Sequence, residues 1–250
     1  MRDNFPACLA ETLRHEGGWA DHIKDPGGAT MRGVTISTYA AYKGRAVTKT
    51  ELRNISTAEL EAIYRGRYWD KVRGDDLPRG LDLVTFDPAV NSGPIRGAKW
   101  LQQALGVAQD GKVGPVTINA AQTAAPVPVI QKACSARMGF LRGLGTWGTF
   151  GKGWSRRVAS IEARSVQMAA PAAVAAEGAK AKTAAVRQET GAAGVTAGSG
   201  GFALPDLDGL PASAQLTIAA LILLVGVILF VRGRHDRNRA AAYAALSSEE

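Results

Sequence analysis

The chain has 250 residues and a formal net charge of +8, enough for one large or two small domains. The charge is uneven: residues 1–165 carry 23 Lys/Arg against 15 Asp/Glu, and residues 166–250 carry 7 against 7. A cationic N-terminal part suits an anionic polymer, nucleic acid or bacterial cell wall. The chain lacks an aromatic-basic RNA motif, zinc spacing and a glycine-rich phosphate loop, so no nucleic acid, metal or cofactor is expected.

The first 15 residues hold charges throughout and no apolar run, so no signal peptide is expected. Phe5, Cys8, Leu9 and Leu13 recur at helical spacing, and Glu16 falls on the same side. Gly17-Gly18 is expected to stop this helix. A carboxyl at such a buried helix end, beside Trp19, is partly desolvated, which favours the protonated form that a general acid uses. Asp25-Pro-Gly-Gly is a strong turn signal, and Ala29 to Ile36 reads as a short β-hairpin arm. That turn would return Asp25, Thr30 and Thr35 towards Glu16, the layout of a glycoside hydrolase cleft. Asp25 fits a second carboxylate and equally a simple turn cap.

Further along, Ser37 to Tyr42 predicts a short helix and Lys43 to Arg53 a basic loop. Ser56-Thr-Ala-Glu59 is a capping box, opening a helix with Leu60, Ile63, Tyr64 and Tyr68 on one face. Tyr68 and Trp69 could stack a sugar ring or pack in the core. Leu81 to Asn91 reads as helical, with a kink or fresh start at Pro88. Pro94 opens a helix through Trp100, Leu101 and Leu105, ended by Gly106. Two further helices are expected from about Val127 to Leu144 and from Trp154 to about Gln167. Cys8 and Cys134 sit at apolar helical positions, as two buried thiols or one disulfide. His15 and His22 flank the candidate cleft, His15 more as a supporting residue than as a catalytic partner.

Glu16-Gly-Gly, Asp25-Pro-Gly-Gly-Ala-Thr30 and Gly33-Val-Thr35, in that order, resemble the signature of glycoside hydrolase family 108. Asp87-Pro-Ala-Val-Asn91-Ser-Gly93 is similar to a further stretch of that family. Asp110-Gly-Lys-Val-Gly114-Pro-Val-Thr117 and Gly151-Lys-Gly-Trp154-Ser-Arg-Arg157 resemble its peptidoglycan-binding-like region. Met31-Arg32 stands where members usually carry Asn-Lys or Asn-Tyr, a departure in the cleft lining. The resemblance implies a mainly α, lysozyme-like fold and a muramidase of phage or prophage type. It implies Glu16 as catalytic acid, with Asp25, Thr30 and Thr35 as candidate partners. Trp19, Tyr68, Trp69 and Asn91 are the candidate substrate contacts, and peptidoglycan is the partner. The rival activities are a lytic transglycosylase, a secretion-associated muramidase and a non-catalytic wall-binding anchor.

Residues 168–211 are rich in Ala, Gly, Thr and Pro and read as a linker. Residues 212–231 hold no charge and match the hydrocarbon thickness of a bilayer; Arg232, Arg234, Arg237 and Arg239 follow. The expected organisation is a catalytic region at 1–95, a peptidoglycan-binding-like region at 96–167, the linker, a transmembrane helix, and a basic cytoplasmic tail at 232–250. An inner-membrane anchor with the enzyme on the periplasmic side, and a functional link to a holin, complete the expectation.

Overall fold

A computed structural model describes residues 4–21, 28–197 and 212–248. Helix α1 (Phe5–Leu13) is followed by three short strands, β1 (Trp19–Ala20), β2 (Thr30–Met31) and β3 (Val34–Thr35), in one antiparallel sheet ordered β1-β2-β3. Helices α2 (Ile36–Lys43), α3 (Lys49–Arg53) and α4 (Thr57–Tyr64) lead through a π turn, Arg65–Trp69, towards α5 (Leu81–Ser92). Helices α6 (Pro94–Leu105), α7 (Pro115–Thr123), α8 (Pro126–Arg142) and α9 (Trp147–Ala169) complete the body. The molecule is mainly α, as the sequence predicts.

Local chemistry explains most boundaries and three departures. Ser56 and Glu59 form the expected capping box, and Gly106 closes α6 in the left-handed conformation. The basic stretch expected as loop contains α3, because Thr48 and Glu51 form a second capping box. Pro88 does not begin a fresh helix: α5 continues through it as one helix. The amide that Pro88 lacks costs one hydrogen bond, and burial of nearly the whole helix offsets it. Helix α1 ends at Leu13, before the glycines, on tighter bonds from His15 N to Thr12 O and from Glu16 N to Leu13 O.

Two apolar clusters hold the body. One gathers Phe5, Trp69, Leu83 and Phe86 with Tyr64 and Ile161; the Phe5, Trp69 and Phe86 rings meet edge to face at 5.3–6.0 Å. The other joins α5, α6, α8 and α9. Gly97 lets α6 approach α5 closely, since a Cβ there would lie 2.7 Å from the Thr85 carbonyl. Cys8 and Cys134 are free and buried, and burial pushes both thiols up.

Within the stretch read as linker, residues Val174–Ala197 form helix α10, consistent with the helix propensity of its alanines. The apolar stretch begins α11 (Ala212–Ser247), which is long and apolar enough to cross a membrane. Leu216, Leu221, Leu223 and Phe230 are exposed along it. The stretch expected as a cytoplasmic tail continues α11 to Ser247, and this part of the helix packs on α9. Arg239 pairs with Glu162 at 2.7 Å, and the hydroxyl of fully buried Tyr243 donates to the same carboxylate at 3.2 Å. Glu162 is itself 2% exposed. A carboxylate buried that deeply requires a cation and hydrogen bonds, and the tail supplies both.

Candidate active site

Glu16 stands on the tight turn just past α1, its side chain 20% exposed. Its Oε1 lies 2.9 Å from Nη1 of Arg157, which projects from α9. The other edge of that guanidinium donates to Asp87 of α5 from Nη2 at 2.8 Å and from Nε at 3.0 Å. Arg137 of α8 donates to the second Asp87 oxygen at 2.6 Å, and its other amino group reaches Asn91 Oδ1 at 3.5 Å. A chain of alternating charge therefore runs Glu16–Arg157–Asp87–Arg137. Asp87 is fully buried; burial alone would raise its pKa, and the two guanidiniums outweigh burial and hold it below the usual carboxylate range.

The hairpin closes the other side. Arg32 and Gly33 form its two-residue turn, both at positive φ (48° and 79°), the pattern of a type I′ turn. A Cβ on Gly33 would lie 2.3 Å from Tyr64 Oη and 3.2 Å from Glu16 Oε2. Tyr64 donates to the Arg32 carbonyl at 2.8 Å, fixing the turn against α4. Burial, and then the charge of Glu16, push the Tyr64 hydroxyl up, so it stays a neutral donor. Glu16 is thus clasped by Arg157 on one oxygen and faces the Gly33 turn with the other.

The predicted site residues fall out differently. Thr30 and Thr35 are register partners across β2 and β3. The Thr35 hydroxyl is the N-cap of α2, accepting from Thr38 N at 3.2 Å, and Thr30 donates to the Gly28 carbonyl at 3.3 Å. Asp25 lies outside the described residues. Trp19 pairs with Met31 in the sheet and carries Arg53 over its ring at 5.4 Å. Tyr68 is half-buried with its ring 5.6 Å from Tyr64, which places it beside the Glu16 cluster. Trp69 is fully buried, its Nε1–H donating to Asp75 at 3.0 Å. It is a core residue and has no face to offer a sugar. Asn91 is exposed at the Arg137 end of the ionic chain. His15 supports the buried Glu11, at 3.7 Å, rather than Glu16.

Sequence reasoning missed Arg157, Asp87, Arg137 and Tyr64. One signal was available: Arg157 lies four residues before Ile161, on the buried stripe of α9, where an unpaired arginine cannot stay. Chemically, the site offers one accessible carboxyl, a cation fixed against it, and a backbone turn across from it. That set can protonate a leaving oxygen and accommodate the carboxylate left behind.

Residues 9–93 match the family described as Glycosyl hydrolase 108. The solved structure of Brucella abortus SagA is similar to this chain at 43% sequence identity and a TM-score of 0.61. The similarity covers 69% of this chain and 99% of that one. No curated protein sequence matches.

Proposed function

Because the chain belongs to the glycosyl hydrolase 108 family and is a glycoside hydrolase acting on peptidoglycan, we propose that it cleaves the β-1,4 bond between N-acetylmuramic acid and N-acetylglucosamine. The observation that carries this reading is Glu16, an accessible carboxyl clasped by Arg157 opposite the Gly33 turn. Glu16 gives its proton to the glycosidic oxygen as that bond breaks, and its new negative charge rests against Arg157. Asp25 faces the developing positive charge on the sugar or orients the attacking water. Thr30 helps to place that water; Thr35 serves the hairpin by capping α2. Tyr68, Trp19 and Asn91 line the glycan path.

In this reading residues 1–167 form the enzyme, with the 96–167 region contributing Arg137 and Arg157 as well as wall contacts. Residues 212–231 anchor it in the bacterial inner membrane. Because the tail docks on α9, enzyme and tail share one side of that bilayer, and the four arginines favour the cytoplasmic side. Contact with the wall then follows permeabilisation of the membrane, the step a holin provides in host lysis. An endolysin of this kind is stored beside the barrier it will later pass.

The test is digestion of bare peptidoglycan by the full chain, with mass analysis of the fragments. Hydrolysis adds one water per cut, whereas fragments lacking that water identify a transglycosylase. Glu16→Gln is expected to lower cleavage at least about a hundredfold without unfolding the protein. Asp25→Asn within about twofold of the parent would remove Asp25 from the mechanism, since Asn serves a turn almost as well as Asp.

A further inference from the structure

A cavity of about 300 Å³ lies between the ends of α8 and α9 and the middle of α11. Arg142, Lys152, Arg156 and Arg234 line it, with Trp147 and Phe230 among its apolar residues. No carboxylate lines it, and none of these four cations has an ion pair among the described residues. The nearby acid, Asp236, is already paired with Arg239 at 3.2 Å. Two buried nitrogens there, Arg142 Nε and His235 Nδ1, have no hydrogen-bond partner among the described residues. Positive charge is crowded: burial, then Arg232, lowers the Arg142 pKa, and burial, then Arg142 and Arg239, pushes His235 down to about 4. Such a pocket is built for an anion.

Its height identifies the source of that anion. Phe230 and Val231, the last residues of the apolar segment, form part of the rim. Helix α10 runs antiparallel to α11, with Gly178 against Tyr243. Equal rise along both helices brings Arg187 of α10 level with Arg234, just past the apolar stretch. Charged residues of both helices therefore share one level near the end of the apolar stretch, with the pocket and the Trp147 indole beside it. Basic residues and indoles gather at that level of a bilayer interface.

The geometry points to this pocket as a binding site for the phosphate of an anionic phospholipid headgroup, a proposal that rests on residues 212–231 spanning the bilayer. The lipid would seal the joint between enzyme and anchor, its phosphate between Arg142, Arg156 and Arg234 and its chains along α11. A free phosphate would satisfy the same cations without using the apolar rim.

The full chain, purified in dodecyl maltoside with equal amounts of phosphatidylglycerol and phosphatidylcholine, can be weighed by native mass spectrometry. One phosphatidylglycerol is expected to be retained at least tenfold over phosphatidylcholine, and millimolar inorganic phosphate should not displace it. Arg156→Gln with Arg234→Gln, both exposed positions, should abolish the preference with the melting temperature unchanged; Arg142→Gln should do the same from the buried side. Equal retention of the two lipids, an unchanged preference in these variants, or displacement by phosphate overturns the lipid site. Alkaline carbonate extraction separates the two readings. Release of the chain into the soluble fraction overturns the span and the lipid site together, whereas a retained chain without headgroup preference overturns the pocket alone.

Discussion

Arg157 lies 2.9 Å from Glu16 with one amino group and 2.8 Å from Asp87 with the other. One guanidinium thereby ties the proposed acid to a carboxylate sealed inside the helical body. The planar fork of arginine is what allows both contacts at once. Glu16 sits on a turn outside any helix, so this tie, more than secondary structure, sets where its carboxyl points.

Arg157→Lys tests that positioning. Lysine keeps the charge but cannot span Glu16 and Asp87 together. Turnover is expected to fall by about 10- to 100-fold, the cost of a misplaced catalytic group, with KM nearly unchanged. Steady-state kinetics on soluble glycan fragments would show it. A rise in KM with turnover unchanged would mean that Arg157 binds substrate instead.

Asp87 governs stability and its pH dependence. Its folded pKa is lowered, so its contribution is fully present above the unfolded value of about 3.9 and is lost as pH falls below it. Urea midpoints should therefore drop on acidification from pH 5 to 3. Asp87→Asn strands two buried guanidiniums and should cost about 3–5 kcal/mol at neutral pH. The same variant should lose the share of the acid sensitivity that Asp87 contributes.

Gly33→Ala adds a methyl where only 2.3 Å separates it from Tyr64 Oη, at a backbone φ of 79°. The turn must shift away from Tyr64, and Glu16 loses its facing wall. Activity should fall by at least about tenfold, with a stability loss of roughly 1–2 kcal/mol. Tyr64→Phe relieves the clash with the hydroxyl, so the double variant should recover part of the stability and little of the activity.

His235 makes tail docking sensitive to acid. It faces Arg142 of α8, Lys152 and Arg156 of α9, and Arg234 and Arg239 of its own helix. Its folded pKa, about 4, is below the unfolded value of about 6.5, so the folded state binds fewer protons between those limits. Docking stability is thus complete above pH 6.5 and lost as pH falls towards 4, on the order of 3 kcal/mol in all. A distance probe between α9 and the end of α11 should lengthen across that window, and His235→Asn should abolish the change.

The sequence disclosed what local chemistry encodes. The capping box at Ser56, the hairpin around Arg32-Gly33, and the Pro94 to Gly106 helix follow from residues a few positions apart. Glu16 was legible through its Glu-Gly-Gly context and the family resemblance. Arg157, Asp87 and Arg137 were not, because each reads as an ordinary charge until α5, α8 and α9 converge. Trp69 misled for the opposite reason: an aromatic beside Tyr68 looks like a sugar platform until its burial is known. The cap that Thr35 supplies to α2 was likewise not legible from its place near the acid.

The ionic chain also sets a schedule for synthesis. Glu16 and the entire 9–93 family match leave the ribosome early, whereas Arg157 leaves only with α9. N-terminal segments can begin folding while the rest is still being made. A nascent or truncated chain ending in α8 would thus carry the acid and its hairpin but not the cation that aims it. Competence is conferred late, by a residue translated well after the whole of the 9–93 match.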